Sequence, residues 1–208
     1  MIEEEPEPEP RDSTKIIGIT GGIGSGKSTV SKYIEEAGFP VYYSDIRAKD
    51  IVNDDEVLKL NIKELLGEDA YGENGLYDRK YVSEMVFNNE ELLLRLNSLI
   101  HPAVKIDFET WVSQQTTDFV FKETALLFEL KLNESCYKSV LVTADDNCRL
   151  KRVMDRDNKT YREVETIMLR QMPEKDKVKL ADFIIFNNDG LEELKVETQK
   201  VLAEIVSL

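Results

Sequence analysis

Residues Gly21-Gly22-Ile23-Gly24-Ser25-Gly26-Lys27-Ser28 read G-x-x-x-x-G-K-S. This run carries chemistry only in one context, a strand before it and a helix after it. Lys15-Ile16-Ile17-Gly18-Ile19-Thr20 is a short β-type stretch, and Ser28 to Ile34 has helical spacing. A triphosphate needs several donors converging on its oxygens. Successive backbone N–H groups supply them where side chains are absent and unusual φ/ψ values are allowed, which is what glycine provides. The helix that begins at the loop points its positive end at the anion. Lys27 is placed to reach the β- and γ-phosphates, and the Ser28 hydroxyl to ligate Mg²⁺. The nucleotide-contacting set is then Gly22, Ile23, Gly24, Ser25, Gly26, Lys27, Ser28 and Thr29. No G-x-G-x-x-G occurs, which disfavours a dinucleotide fold.

Phosphoryl transfer also needs a group that orients or deprotonates the acceptor, and cations over the transferring phosphate. Asp45 follows Pro40-Val41-Tyr42-Tyr43, a second strand. The carboxyl ends of parallel strands face the ligand crevice, so Asp45 is the candidate base; its structural alternative is a helix N-cap. Arg149, Arg152 and Arg156 are spaced to share one helix face. Like charges stacked there are unfavourable unless an anion neutralises them; the alternative is a solvated helix paired with nearby acids. Such a helix can act as a lid that excludes water. A GTPase is disfavoured because the base-reading N-K-x-D is missing: Asn158-Lys159-Thr160 is followed by Tyr161. Asp69-Ala70-Tyr71-Gly72 matches D-x-x-G but follows a helical stretch.

Five strands separated by helices predict an α/β fold with a five-stranded parallel sheet and helices on both faces. The strands are 15–20, 40–43, 119–122, 139–143 and 183–186. Predicted helices are 27–37, 54–66, 78–88, 90–100, 102–115, a charged stretch over 146–180, and 191–206. The length, 208 residues, suits one domain or one domain with an insertion. Residues 1–14 alternate Glu and Pro and read as a solvated, mobile tail. Removing their six acids and one base takes the net charge from −14 to −9, still acidic, which disfavours a broad nucleic-acid surface. Cys136 and Cys148 fit neither a metal nor a redox spacing and read as reduced thiols, and no run approaches a membrane span. A cytoplasmic monomer acting on a small molecule, with no membrane and no nucleic-acid partner, is the expectation.

The chain resembles the dephospho-CoA kinase family over about residues 15–206. The resemblance rests on Gly18 to Val30, on Ser44-Asp45-Ile46, on Leu96 to Pro102, on Leu126-Leu127-Phe128-Glu129, on Leu150-Lys151-Arg152 with Arg156-Asp157, and on Gln171, Ala181-Asp182 and Asn187. It implies transfer of the ATP γ-phosphoryl group to the ribose 3′-hydroxyl of dephospho-CoA, the last step of coenzyme A synthesis. Asp45 would be the catalytic base, with Lys27 and Arg152 stabilising phosphoryl charge and Mg²⁺ on Ser28. Arg149, Arg156 and Asn187 fall on the nucleotide side, Asn187 near the adenine or simply in a turn. Three parts are implied: a nucleotide-binding core (15–49, 116–144, 181–208), a helical CoA-side domain (50–115) and a lid (145–180).

The family commonly has Pro where this chain has Ala125 and Arg where it has Lys49; a Lys keeps the charge but loses the bidentate fork. Lys175 and Lys177 stand near Glu174, where some members are basic. His101, the chain's single histidine, reads either as a substrate-side group or as packing before a helix-breaking Pro102. Glu129 reads as a bond to lid or substrate, or as a cap. Two other readings stay open: a kinase of the nucleoside-monophosphate type, and an ATP-binding protein that closes without phosphorylating anything.

Overall fold

The computed structural model describes residues 14–87 and 89–208, so the Glu/Pro tail, Thr14 aside, lies outside the described residues. Two compact units are present: Tyr43–Gln114 forms one, and the segments on either side of it form the other.

The flanking segments build a five-stranded sheet. Its strands are β1 (Lys15–Thr20), β2 (Val41–Tyr43), β3 (Phe119–Glu123), β4 (Lys138–Thr143) and β5 (Phe183–Phe186), in the order β2-β3-β1-β4-β5. β1 is parallel to both β3 and β4, and β4 to β5. Ile17, Ile19, Val120, Phe121, Leu141 and Val142 are fully shielded, which explains why these runs show no polar alternation. Helices α1 (Lys27–Glu36) and α9 (Leu191–Val206) pack together, joined at the surface by Lys195 and Glu36. The segment after β4 carries α6 (Asp146–Asp157), α7 (Tyr161–Arg170) and α8 (Glu174–Leu180). α7 opens with a reciprocal Thr160–Glu163 capping box.

The second unit is helical: α2 (Ser44–Asp54), α3 (Glu56–Leu66), α4 (Arg79–Val86) and α5 (Glu90–Ser113). Asp55, Asp78 and Asn89 cap the last three through their side chains. Two expectations need correcting. Residues 44–54 form a helix of their own, whose inward residues Ile51 and Val52 are too few for a clear stripe. Helix α5 runs unbroken through Pro102, where separate helices over 90–100 and 102–115 were expected. Proline removes one intrahelical bond there, but Leu96 and Phe108 are buried on either side of it, and Leu92, Leu99, Ile100, Ala103 and Val104 pack on the unit's core. Packing outweighs the local defect. Asp69 to Gly72 contains no strand, only a 3₁₀ turn and an isolated Tyr71–Tyr77 bridge.

At the amino ends of β4 and β5, Asp182 accepts hydrogen bonds from the Ser139 amide (2.8 Å) and hydroxyl (2.7 Å) and from Lys138 (3.2 Å). Burial alone would raise its pKa, but these donors hold the carboxyl below its ordinary value. A carboxylate depressed in the folded state stabilises the fold above its unfolded pKa of about 3.9, and that stability is lost as pH falls through the lower folded value. The melting temperature of the protein should therefore drop as pH is lowered from about 5 to 3. Asp182→Asn should flatten that part of the curve; a curve of unchanged steepness would deny Asp182 a share in acid unfolding.

Candidate active site

Within the sheet unit, the glycine loop leaves the carboxyl end of the central strand β1 and runs into α1. Gly24 (φ 77°) and Gly26 (φ 96°) hold left-handed backbone, and Gly26 is the N-cap of α1, with no side-chain cap. A β-carbon on Gly26 would meet the Asn187 amide. No side chain of the N-cap therefore competes with an anion for the amides that open α1. Lys27 lies 3.6 Å from Glu123, which closes β3 beside β1.

The carboxyl ends of the neighbouring strands supply the loop's supports. After β5, the Asn187 amide group donates to the Ser25 carbonyl (2.8 Å) and the Asn187 backbone N–H to Thr143 of β4 (2.7 Å). Arg152 of α6 donates through Nη2 to the Asn187 carbonyl (2.9 Å); its Nη1 is buried with no hydrogen-bond partner among the described residues. A buried cationic donor left open costs stability unless something external satisfies it, and an anion beside the loop is the fitting partner. Arg149, only 2% exposed, donates through Nε to the Ile23 carbonyl (3.0 Å) and pairs with Asp146 and Glu174 (both 3.3 Å). The Ile23 N–H donates to Gln171 (2.9 Å). Arg156 is exposed and pairs with Asp157, which holds that carboxyl below its ordinary range.

The three arginines therefore do not form one bare cationic face awaiting an anion. Arg149 and Arg156 have acids beside them, and Arg149 and Arg152 also bind backbone carbonyls. Glu129 accepts from the Met172 amide (3.1 Å) and lies 3.2 Å from Lys177, so it binds the segment around α8. Lys177, fully buried, also faces Glu174 at 3.8 Å, and Glu174 accepts from the Thr143 hydroxyl at 2.6 Å. From the resemblance, Lys175 and Lys177 stand in for basic residues that some members have where this chain has Glu174; in the fold Lys177 lies between Glu129 and Glu174. An i,i+3 pair on a seven-residue charged helix carries no local sign that it is buried. Glu123 was also missed; its position, closing a strand beside the loop, was the available signal.

The helical unit carries Asp45, Lys49 and His101. Asp45 lies in the first turn of α2, exposed, and the N-cap position itself is held by Tyr43. Lys49 is exposed one turn further on. His101 sits inside α5, immediately before Pro102, exposed at the surface; the neighbouring protein atoms that displace part of its hydration lower its pKa from the ordinary value. Arg47 forms a bidentate pair with Asp107 (2.7 and 3.0 Å), tying α2 to α5.

A family model described as dephospho-CoA kinase matches residues 15–193. A dephospho-CoA kinase of Fusobacterium nucleatum is 41% identical over 188 residues, covering 89% of this chain and 96% of its own. The crystal structure of TT1252 from Thermus thermophilus superposes with a TM-score of 0.83 at 34% identity, over 93% of this chain and 98% of its own. Shikimate kinase from Bacteroides thetaiotaomicron shares the fold alone (TM-score 0.52, 16% identity, 93% and 99% covered). The family model and the relatives' sequence identity agree: the chain belongs to the dephospho-CoA kinase family.

Proposed function

We propose that this chain transfers the γ-phosphoryl group of ATP to the ribose 3′-hydroxyl of dephospho-CoA, giving CoA and ADP. Family membership supports the reaction. The observation that carries the site assignment is the glycine cradle with the open Arg152 donor beside it. In this reading the amides opening α1 hold the β- and γ-phosphates, Lys27 exchanges Glu123 for phosphate oxygen, and Arg152 Nη1 takes charge that develops on the transferring group. Arg149 and Asn187 act by holding the loop in shape. Asp45 accepts the proton of the 3′-hydroxyl as the new P–O bond forms. Lys49 and His101, both of the helical unit, are read as acceptor-binding residues, and that unit as the CoA side.

For Mg²⁺ the available donors are the Ser28 hydroxyl and the Glu123 carboxylate. No group of three acids, histidines or cysteines able to hold a metal occurs among the described residues. That fits a cation that keeps several waters and takes further ligands from phosphate, as Mg²⁺ does. When bound, it neutralises charge on the β- and γ-phosphates. Because Arg149, Arg152 and 171–177 are tied to the core, we assign lid closure to the stretch between 152 and 171, which carries Arg156. The acting species is read as a monomer, and the free thiols Cys136 and Cys148 suit a reducing cytoplasm. No helix among the described residues is long and apolar enough to cross a membrane.

The test is incubation with Mg²⁺-ATP and dephospho-CoA, with adenosine, AMP and pantetheine phosphate in parallel, and mass detection of the phosphorylated product. CoA from dephospho-CoA alone is the expected result. A phosphorylated nucleoside or AMP in its place would overturn the acceptor, and ATP binding without any product would overturn catalysis.

A further inference from the structure

The loop residue Ile23 has both its backbone groups taken by side chains far away in sequence. Arg149 holds its carbonyl at 3.0 Å and Gln171 its N–H at 2.9 Å. The Arg149 guanidinium is 3% exposed, so it needs a fixed counter-charge to stay where it is. Asp146 offers one, but its side chain is 73% exposed and a surface contact of that kind is weak. Glu174 is the shielded partner, 19% exposed and 3.3 Å away.

Glu174 is itself fixed from two other directions. Its Oε2 accepts from the Thr143 hydroxyl at 2.6 Å, at the carboxyl end of β4. Lys177 lies 3.8 Å from its Oε1 and is held in turn by Glu129 at 3.2 Å. Arg149, Lys177, Glu174 and Glu129 make a charge-balanced buried group. It also closes on the loop from behind: a β-carbon on Gly22 would collide with Arg149 and come within 2.6 Å of Glu174. A loop that must present several amides to one anion binds more tightly when its shape is set before the anion arrives.

We propose that Glu174 is a positioning residue for the phosphate loop, acting through Arg149 to fix Ile23 in the nucleotide-ready shape. The inference rests on the ATP-binding reading above and deepens it. Glu174 touches no substrate; its effect is on nucleotide affinity and not on the acceptor.

The experiment is calorimetric measurement of the ATP dissociation constant with Mg²⁺ and without acceptor, for the wild type, Glu174→Gln, Arg149→Gln and the double variant. Glutamine keeps an acceptor for Thr143 and removes only the charge. Glu174→Gln should weaken ATP binding on the order of tenfold, the low end of what removing outer-shell support costs at preorganised sites. The KM for dephospho-CoA should stay within about twofold. Arg149→Gln should weaken ATP binding similarly, and the double variant should be no weaker than Arg149→Gln alone, because one path carries both effects. A folded Glu174→Gln protein with wild-type ATP affinity would overturn the proposal, as would a double variant whose loss is the product of the single losses. If Glu174→Gln does not fold, Glu174→Asp takes its place, keeping the charge but drawing it back by one methylene: severalfold weaker ATP binding is expected, and wild-type affinity would overturn the proposal. A wild type that binds no ATP would instead overturn the nucleotide reading, and the inference with it.

Discussion

Asp45→Asn should lower kcat by ~10²–10⁴, the usual worth of a positioned general base. That corresponds to roughly 3–6 kcal/mol of barrier at about 1.4 kcal/mol per decade. The substitution keeps size and polarity and removes only the ability to accept the acceptor's proton. Its structural cost is small and separately measurable. Asp45 is an exposed acid in the first turn of α2, where a favourable interaction with the helix dipole is worth about 0.3–1 kcal/mol. The two quantities thus differ severalfold in size, and a thermal melt distinguishes them. ATP affinity should be nearly unchanged, because every loop support described above lies in the other unit. Steady-state kinetics with both substrates saturating is the direct check. A turnover within a few-fold of wild type would remove Asp45 from the chemistry and leave it a first-turn acid.

The second large effect is on stability. Lys177→Met should destabilise the fold by about 3–5 kcal/mol, the cost of removing one partner of a buried ion pair. At roughly 2–4 °C per kcal/mol for a chain of this size, the melting temperature should fall by about 6–20 °C. Lys177 is completely shielded and stands between Glu129 and Glu174. Arg149 still faces Glu174 after the change, so the stranded group is Glu129, 18% exposed and left with the Met172 amide. Adding Glu129→Gln should therefore recover much of the loss, since replacing both charges is far gentler than removing one. A drop of only a degree or two in the single variant would show that water reaches Lys177 and that the group is not a sealed charge cluster.

The parts of the site that follow one another along the chain could be read from the sequence. The strand, the glycine turn and α1 are contiguous, so residue type and local spacing fix them together; the same holds for Asp45 after β2. The parts that support the loop could not be read in this way. Arg149, Gln171, Glu174 and Lys177 meet Ile23 and Thr143 only because the sheet brings β1, β4 and the segment after α6 side by side. Nothing local distinguishes buried Lys177 from exposed Lys179 two residues on. Of the acids that pair with the arginines of α6, Asp146 and Asp157 are close in sequence, as the paired-helix alternative expects, whereas Glu174 reaches Arg149 only through the fold. Pro102 shows the same limit in the fold: the local rule predicts a break, and the packing of Leu96 and Phe108 overrides it.

The strand order also constrains how the chain assembles during synthesis. β1 is made first among the strands, but its two neighbours begin only at Phe119 and Lys138, about a hundred residues later. At ~5–20 residues per second, the apolar central strand waits roughly 5–20 s without a pairing partner. In that interval the ribosome delivers Tyr43–Gln114, a contiguous helical unit with its own core, whose contacts are all available before β3 exists. The phosphate loop follows β1 directly, and its shape waits for Asn187, just before α9.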